Sequence, residues 1–314
     1  MKLIAALATC LVSSASCLSA EPLDLVKRAI PFVHGRGLDW ITNRECASCH
    51  QVPSMLWTMN RAADAGVAMD RVELDELTEW AADWGHWNQT GRKDGEAKVS
   101  AGNIDTMAFL LLGRDKKDVS PGEWVVKFRS SLLANQQTDG SWNAGGQLPL
   151  GKRPLRETTE VTTMWTLVAL NETGDEPLPE ETRTRANDFL ARPQIGVSTE
   201  WHALRLILAP DNEGHLRKLL DLQREDGSWG WIASEPGDAF GTGLALYSLA
   251  RAGLPGDHEA RRQAIKFLEK TQQKDGSWPV PSTRKKDANR ISETATDWGT
   301  AWACIALLEG MPAP

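Results

Sequence analysis

Three side chains within five residues carry the most specific chemistry in the chain. Cys46 and Cys49 bracket two small residues and His50 follows directly, in Cys46-Ala47-Ser48-Cys49-His50. Two thiols at this spacing can add to the vinyl groups of one haem, and the next imidazole then meets the iron from the same turn of chain. Cys46 and Cys49 are therefore expected as the thioethers of one covalent haem c, with His50 as its proximal ligand. Two other chemistries use the same spacing. A redox disulfide pair belongs in a βαβ context, which is not visible here. A structural zinc site needs further Cys or His pairs, and these are missing.

The opposite face of such an iron has several candidate ligands. His86 lies among indoles, in Trp80-Ala81-Ala82-Asp83-Trp84-Gly85-His86-Trp87. Met55 and Met59 share a helix face beyond the motif, although methionines at helical spacing are ordinarily core. Met55 also follows His50 by only five residues, a short loop to wrap across a porphyrin. His202 follows Thr199-Glu200-Trp201 at a helix start, where it could face a cavity, and His34 is a further candidate. A filled sixth position favours electron transfer, and an open one permits ligand or peroxide chemistry.

The N-terminus supplies a compartment for this chemistry. Lys2, the apolar run Leu3 to Val12 and the small residues Ser13 to Ala20 read as a signal peptide over residues 1–20. A lipoprotein cysteine at Cys17 is the minor alternative. Export to the periplasm would remove Cys10 and Cys17, leaving Cys304 outside the motif. It sits in Trp302-Ala303-Cys304-Ile305-Ala306, which suits a buried, inert thiol. No second apolar run reaches membrane length, so no transmembrane anchor is expected. The net charge of −7, with basic runs at 114–117 and 284–286 that are short and flanked or interrupted by acids, argues against a nucleic-acid partner.

A repeat positions the motif. FRSSLLANQQTDGSW (128–142), LRKLLDLQREDGSW (216–229) and AIKFLEKTQQKDGSW (264–278) each join a helix to Gln, then Asp-Gly-Ser-Trp. The glycine suits a left-handed turn, and the tryptophan can fold back as an apolar plug. Polar starts and apolar bodies follow, beginning at Glu160-Val161-Thr162, Asp238-Ala239-Phe240 and Thr296-Asp297-Trp298, and read as capped inner helices. The first helices, such as 259–271, are amphipathic and form an outer layer. Degenerate copies, one between the first two clear turns and two upstream, complete six helix pairs, at roughly the 40–50 residues expected of a helical repeat. The fold class is all-α: six pairs closed into a toroid, an alpha-alpha barrel of α6/α6 type spanning 21–314. The clear repeats cover 121–314 and the haem-attachment segment 43–57.

These Gln-to-Trp turns resemble the QW motifs of the squalene–hopene cyclase and prenyltransferase repeat superfamily. The resemblance covers 120–314 well and the N-terminal third faintly. It implies the toroid but not the family's reactions. The Asp-rich DxDD proton donor of the cyclases is absent, as are an Asp-x-Cys zinc pairing and the Cys-Gly-Glu-Gln thioester sequence. Glu160, Glu200, Asp238 and Asp297 stand at expected inner-helix starts, where capping is the simpler account. Carboxylates paired across the cavity would instead serve a carbohydrate-active enzyme of the (α/α)6 class.

In the repeat register, Cys46–His50 occupies the place of the first Gln-to-Trp turn. The combination resembles exported, CxxCH-bearing squalene-cyclase-like bacterial proteins. The expectation is an exported monohaem protein passing electrons to a partner protein or to a ligand in the toroid. The alternative is a module that binds an apolar or terpenoid molecule in a Trp-rich cavity, with a sensory or structural haem.

Overall fold

The structure, a computed structural model, describes residues 21–47, 51–87, 103–115, 122–144, 151–173, 177–192, 196–288 and 290–311. Among the described residues twelve α-helices follow one another as six pairs. They are α1 (Pro22–Arg44) with α2 (Gln51–Asp64), α3 (Arg71–Ala82) with α4 (Ile104–Gly113), and α5 (Glu123–Ala134) with α6 (Leu155–Glu172). Then come α7 (Glu180–Leu190) with α8 (Thr199–Leu208), α9 (Glu213–Asp221) with α10 (Ala239–Arg251), and α11 (Glu259–Thr271) with α12 (Glu293–Glu309). The described residues contain no strand, only three isolated bridges. None of their helices is long and apolar enough to cross a membrane.

Composition decides the layer. Every residue of α4 is buried, as is α10 from Ala239 to Leu249, whereas α9 buries only Leu219. A helix apolar on all sides must sit inside, and an amphipathic one can shield it. Each even-numbered helix packs on the next, α2 on α4 through to α10 on α12, and α12 packs back on α2. The ring is closed.

The Gln-to-Trp turns bind its units together. Gly140, Gly227 and Gly276 have φ of 92°, 87° and 86°, in the left-handed region. They are also the points of closest approach to the next outer helix: an added Cβ would lie 2.0 Å from Arg185 O, 2.5 Å from Gln263 O and 2.0 Å from Arg28 O respectively. Gln136, Gln223 and Gln272 donate from Nε2 to Thr182 O, Ala260 O and Leu25 O, at 2.8–2.9 Å. Trp142, Trp229 and Trp278 are buried, and each donates its indole N–H to the carbonyl ten residues earlier, on Leu132, Leu219 and Leu268. Because Gln272 and Gly276 dock on α1, the last turn fastens the end of the chain to its beginning.

Two inner helices begin earlier than their sequence suggests. α6 starts at Leu155, five residues before Glu160, and α12 at Glu293, three before Thr296. The hydroxyls of Thr158 and Thr159 bond back to Pro154 O and Leu155 O, so these polar residues lie within the first turns of α6 rather than marking its cap. In α12 the cap is Ser292, which accepts from Ala295 N.

Candidate functional site

The turn after α1 reverses without glycine. Glu45 takes φ of 47° and donates its N–H to Ile41 O at 2.9 Å. That bend tucks Cys46 and Ala47 inside, at 4% and 0% exposure. Ala47 N then donates to His86 O at 2.8 Å, so the thiol-bearing turn is paired with the 3₁₀ segment Trp84–His86 that follows α3. Cys49 and His50 lie outside the described residues, as do residues 1–20. The chain re-emerges at Gln51, whose Nε2 donates to Asp297 Oδ2 at 2.5 Å. Arg36 grips the same carboxylate through Nε and Nη2, at 2.9 and 3.0 Å. The motif turn is thus tied to α3 on one side and to the ring-closing α12 on the other.

The sixth-ligand candidates part company here. His86 stacks on Trp80, with centroids 4.5 Å apart at 15°, and its Nδ1 lies 2.8 Å from Trp80 O. A carbonyl can only accept, so Nδ1 carries the proton and the Nε2 lone pair is left over. Nε2 has no partner among the described residues. Met55 is committed to packing: a Cβ on Gly37 would fall 2.0 Å from its sulfur. Met59 is likewise core. His34 is half-buried, with Nε2 3.1 Å from Glu73 Oε1. His202 sits on α8, three places from α2 in the ring of six, with Nε2 3.1 Å from Gly196 O. Burial lowers its pKa to about 4. Of the expected ligands, only His86 is brought to the motif turn. An imidazole with a fixed tautomer, a thiol in the facing turn and the indoles of Trp80, Trp84 and Trp87 form a donor set that fits a c-type haem.

The inner ring holds three layers. Trp57, Phe109, Trp165, Tyr247 and Trp302 come from five inner helices and meet at centroid distances of 5.3–6.5 Å. All five are buried, and burial raises the Tyr247 phenol pKa. Below them, at the C-terminal ends of the inner helices, Arg61 pairs with Glu309, Glu309 with Arg251, and Arg251 with Glu172. Above them lie the acids expected as caps.

Capping holds for one of those four acids. Asp238 accepts from Gly241 N at 2.7 Å and Trp231 N at 3.0 Å, and burial raises its pKa to about 6. Glu160 lies inside α6 and accepts from Arg156 Nε at 2.9 Å and Trp201 Nε1 at 2.6 Å. Glu200 accepts from Arg153 Nη1 at 2.5 Å, Trp165 Nε1 at 2.9 Å and Trp231 Nε1 at 3.3 Å. Asp297 is the fifth residue of α12 and serves Arg36 and Gln51. The earlier starts of α6 and α12 put Glu160 and Asp297 within helices, and Glu200 is the second residue of α8; cations, indoles and the Gln51 side-chain amide rather than end amides claim their oxygens. Arg153 had no sequence signal, since its partner lies 47 positions away.

Comparison with known proteins bears on the fold. A model of the squalene-hopene cyclase C-terminal domain matches residues 208–312, which hold the last two helix pairs and two of the three Gln-to-Trp turns. No curated protein matches the chain in sequence. Among solved structures, a type II terpene cyclase from Scytonema in complex with geranylgeranyl dihydroxybenzoate superposes with a TM-score of 0.54 at 15% identity, covering 92% of this chain and 98% of that one. A glycosyl hydrolase family 88 protein from Bacteroides vulgatus gives 0.56 at 13% identity, covering 92% and 99%. A possible member of the GH105 family from Klebsiella pneumoniae gives 0.54 at 13%, covering 98% of both chains. At these identities the likeness is one of fold: a terpene-cyclase-like toroid, shared with glycosyl hydrolases.

Proposed function

We propose that the chain is an exported monohaem c protein whose iron is held between His50 and His86, and that it passes electrons to a partner protein. The observation that carries this reading is the pairing of Ala47 N with His86 O at 2.8 Å, together with the Nδ1 contact that leaves Nε2 available. Haem supplies a one-electron couple when bound. The protein's share is positional. Cys46 and Cys49 would anchor the macrocycle, and His50 and His86 would hold the iron from opposite faces. The Trp80 carbonyl fixes the His86 tautomer and the Trp80 ring restricts its rotation. Haem held by both histidines would be shielded from exogenous ligands and would supply electron transfer. The signal-like residues 1–20 support export.

The other two readings find less support. Five rings in mutual contact fill the middle of the lumen, where an apolar molecule would have to lie. Glu200 and Glu160 are each held by an Arg and a Trp side chain, which suits fixed structural carboxylates better than a glycosidase acid and base.

The test is expression with haem c maturation machinery, followed by denaturing extraction. Haem should stay with the wild-type chain and be lost from Cys46→Ser/Cys49→Ser. His86→Ala should convert a low-spin spectrum to a high-spin one and restore the first on adding imidazole. A chain without covalent haem overturns the reading, and an unchanged His86→Ala spectrum overturns the ligand.

A further inference from the structure

A short segment crosses the mouth of the inner ring. Residues 151–154 lead into α6, yet they bond to the loops before α12 and α10. Lys152 N donates to Thr283 O at 3.2 Å, and Lys152 Nζ donates to Ala288 O at 3.2 Å and to Glu235 Oε2 at 2.5 Å. α6 and α12 are three places apart in a ring of six, so the segment spans the opening. Arg153 reaches down from this strap. Its Nη1 donates to Glu200 Oε2, and its guanidinium carbon lies 5.3 Å from the centroid of the Trp231 ring. The Arg153 and Glu200 side chains are each only 4% exposed, and Arg153 Nε is buried without a hydrogen-bond partner.

Packing alone does not call for this arrangement. A desolvated ion pair gains little over apolar side chains of the same volume, and an unpaired buried donor is a further cost. What the surroundings do suit is a cation. Glu200 is oriented from below and beside by the indole N–H groups of Trp165 and Trp231, independently of Arg153. The Trp231 face, itself stacked on Phe240 with centroids 5.9 Å apart, supplies a cation–π wall. Trp165 belongs to the central rings and forms the floor. This carboxylate and these two indoles persist when the strap leaves.

We propose that Glu200, Trp165 and Trp231 form a binding site for a small organic cation, a guanidinium or ammonium compound, and that Arg153 is its built-in plug. The strap holds the site closed by presenting a guanidinium in cis, and an incoming cation exchanges with it as the strap lifts at Pro154. The site is independent of the haem.

The probes are methylguanidinium and tetramethylammonium chloride at millimolar concentration, with sodium chloride as the ionic-strength control. Arg153→Met keeps the stem and removes the charge. The full-length R153M chain should show saturable binding by calorimetry and a matching rise in melting temperature. Wild type should bind at least ~10-fold more weakly, because its competent, unplugged state is the minor one. R153M combined with Glu200→Gln should lose the binding. Lys152→Ala leaves the cage intact and loosens the strap, and should bind several-fold more tightly than wild type even if R153M does not fold. Saturable binding absent from folded R153M, binding that survives Glu200→Gln, or K152A affinity equal to wild type each overturns the proposal.

Discussion

The turn after α1 and the turn after α11 both lie at the seam where the ring closes, and they solve one problem differently. The later turn reverses at Gly276, fills its junction with Trp278 and hooks α1 through Gln272. Its counterparts at 136–142 and 223–229 repeat every one of these contacts on α7 and α11. Among its described residues the earlier turn has no glycine and no indole plug, and its amide, Gln51, hooks the Asp297 carboxylate rather than a backbone carbonyl. It reverses at Glu45 and reaches past the end of α3 to His86. The three regular turns are glue, with the Gln amide N–H and the indole N–H each spent on a backbone carbonyl. The first turn has given up that glue and carries thiols and an imidazole instead.

Substitution at the two reversal points breaks or sharpens this contrast most strongly. Gly276→Ala puts a Cβ into a left-handed residue against the Arg28 carbonyl, and should cost roughly 2–5 kcal/mol in denaturant titration. Glu45→Gly should have the opposite sign and stabilise by about 1 kcal/mol, since it removes the Cβ from a left-handed residue. A similar loss at both positions would mean that the first turn is glue as well.

A histidine that the sequence offered as an iron ligand yields the next effect. Burial, above all, lowers the His202 pKa from 6.5 to about 4, with Lys218, His215 and Arg205 adding to the shift. Between those values the unfolded chain binds a proton that the folded chain refuses, so stability falls as the pH drops from about 6.5 to about 4. The loss approaches 3 kcal/mol at most. His202→Gln should flatten that limb of a melting-temperature profile. Smaller still is Trp278→Phe, which strands the Leu268 carbonyl for about 1–3 kcal/mol. Trp142→Phe and Trp229→Phe should match it, because their bonds are the same.

These contrasts also mark what could be read from the sequence. The outer helices, the three regular turns and the six-pair count were legible because each depends on contacts within about ten residues, such as Trp278 to Leu268. The starts of α6 and α12 were not, because threonine and glutamate serve equally well inside a helix when their side chains find partners there, as Glu160 does with Arg156. The pairing of Arg153 with Glu200 and of Ala47 with His86 joins positions 47 and 39 residues apart. No local pattern encodes such a distance. His86 among its indoles was a visible candidate, but the reason to prefer it over His202, Met55 and Met59 is the closed ring, which brings one to the motif turn and fixes the others in packing.

The claim that the first turn is a haem site with both axial positions supplied by the chain is tested most directly by adding carbon monoxide to the reduced, matured protein. The account predicts a c-type spectrum that carbon monoxide leaves unchanged in wild type and shifts in His86→Ala. A wild-type spectrum that shifts at once, or a matured chain with no covalent haem to observe, would contradict it.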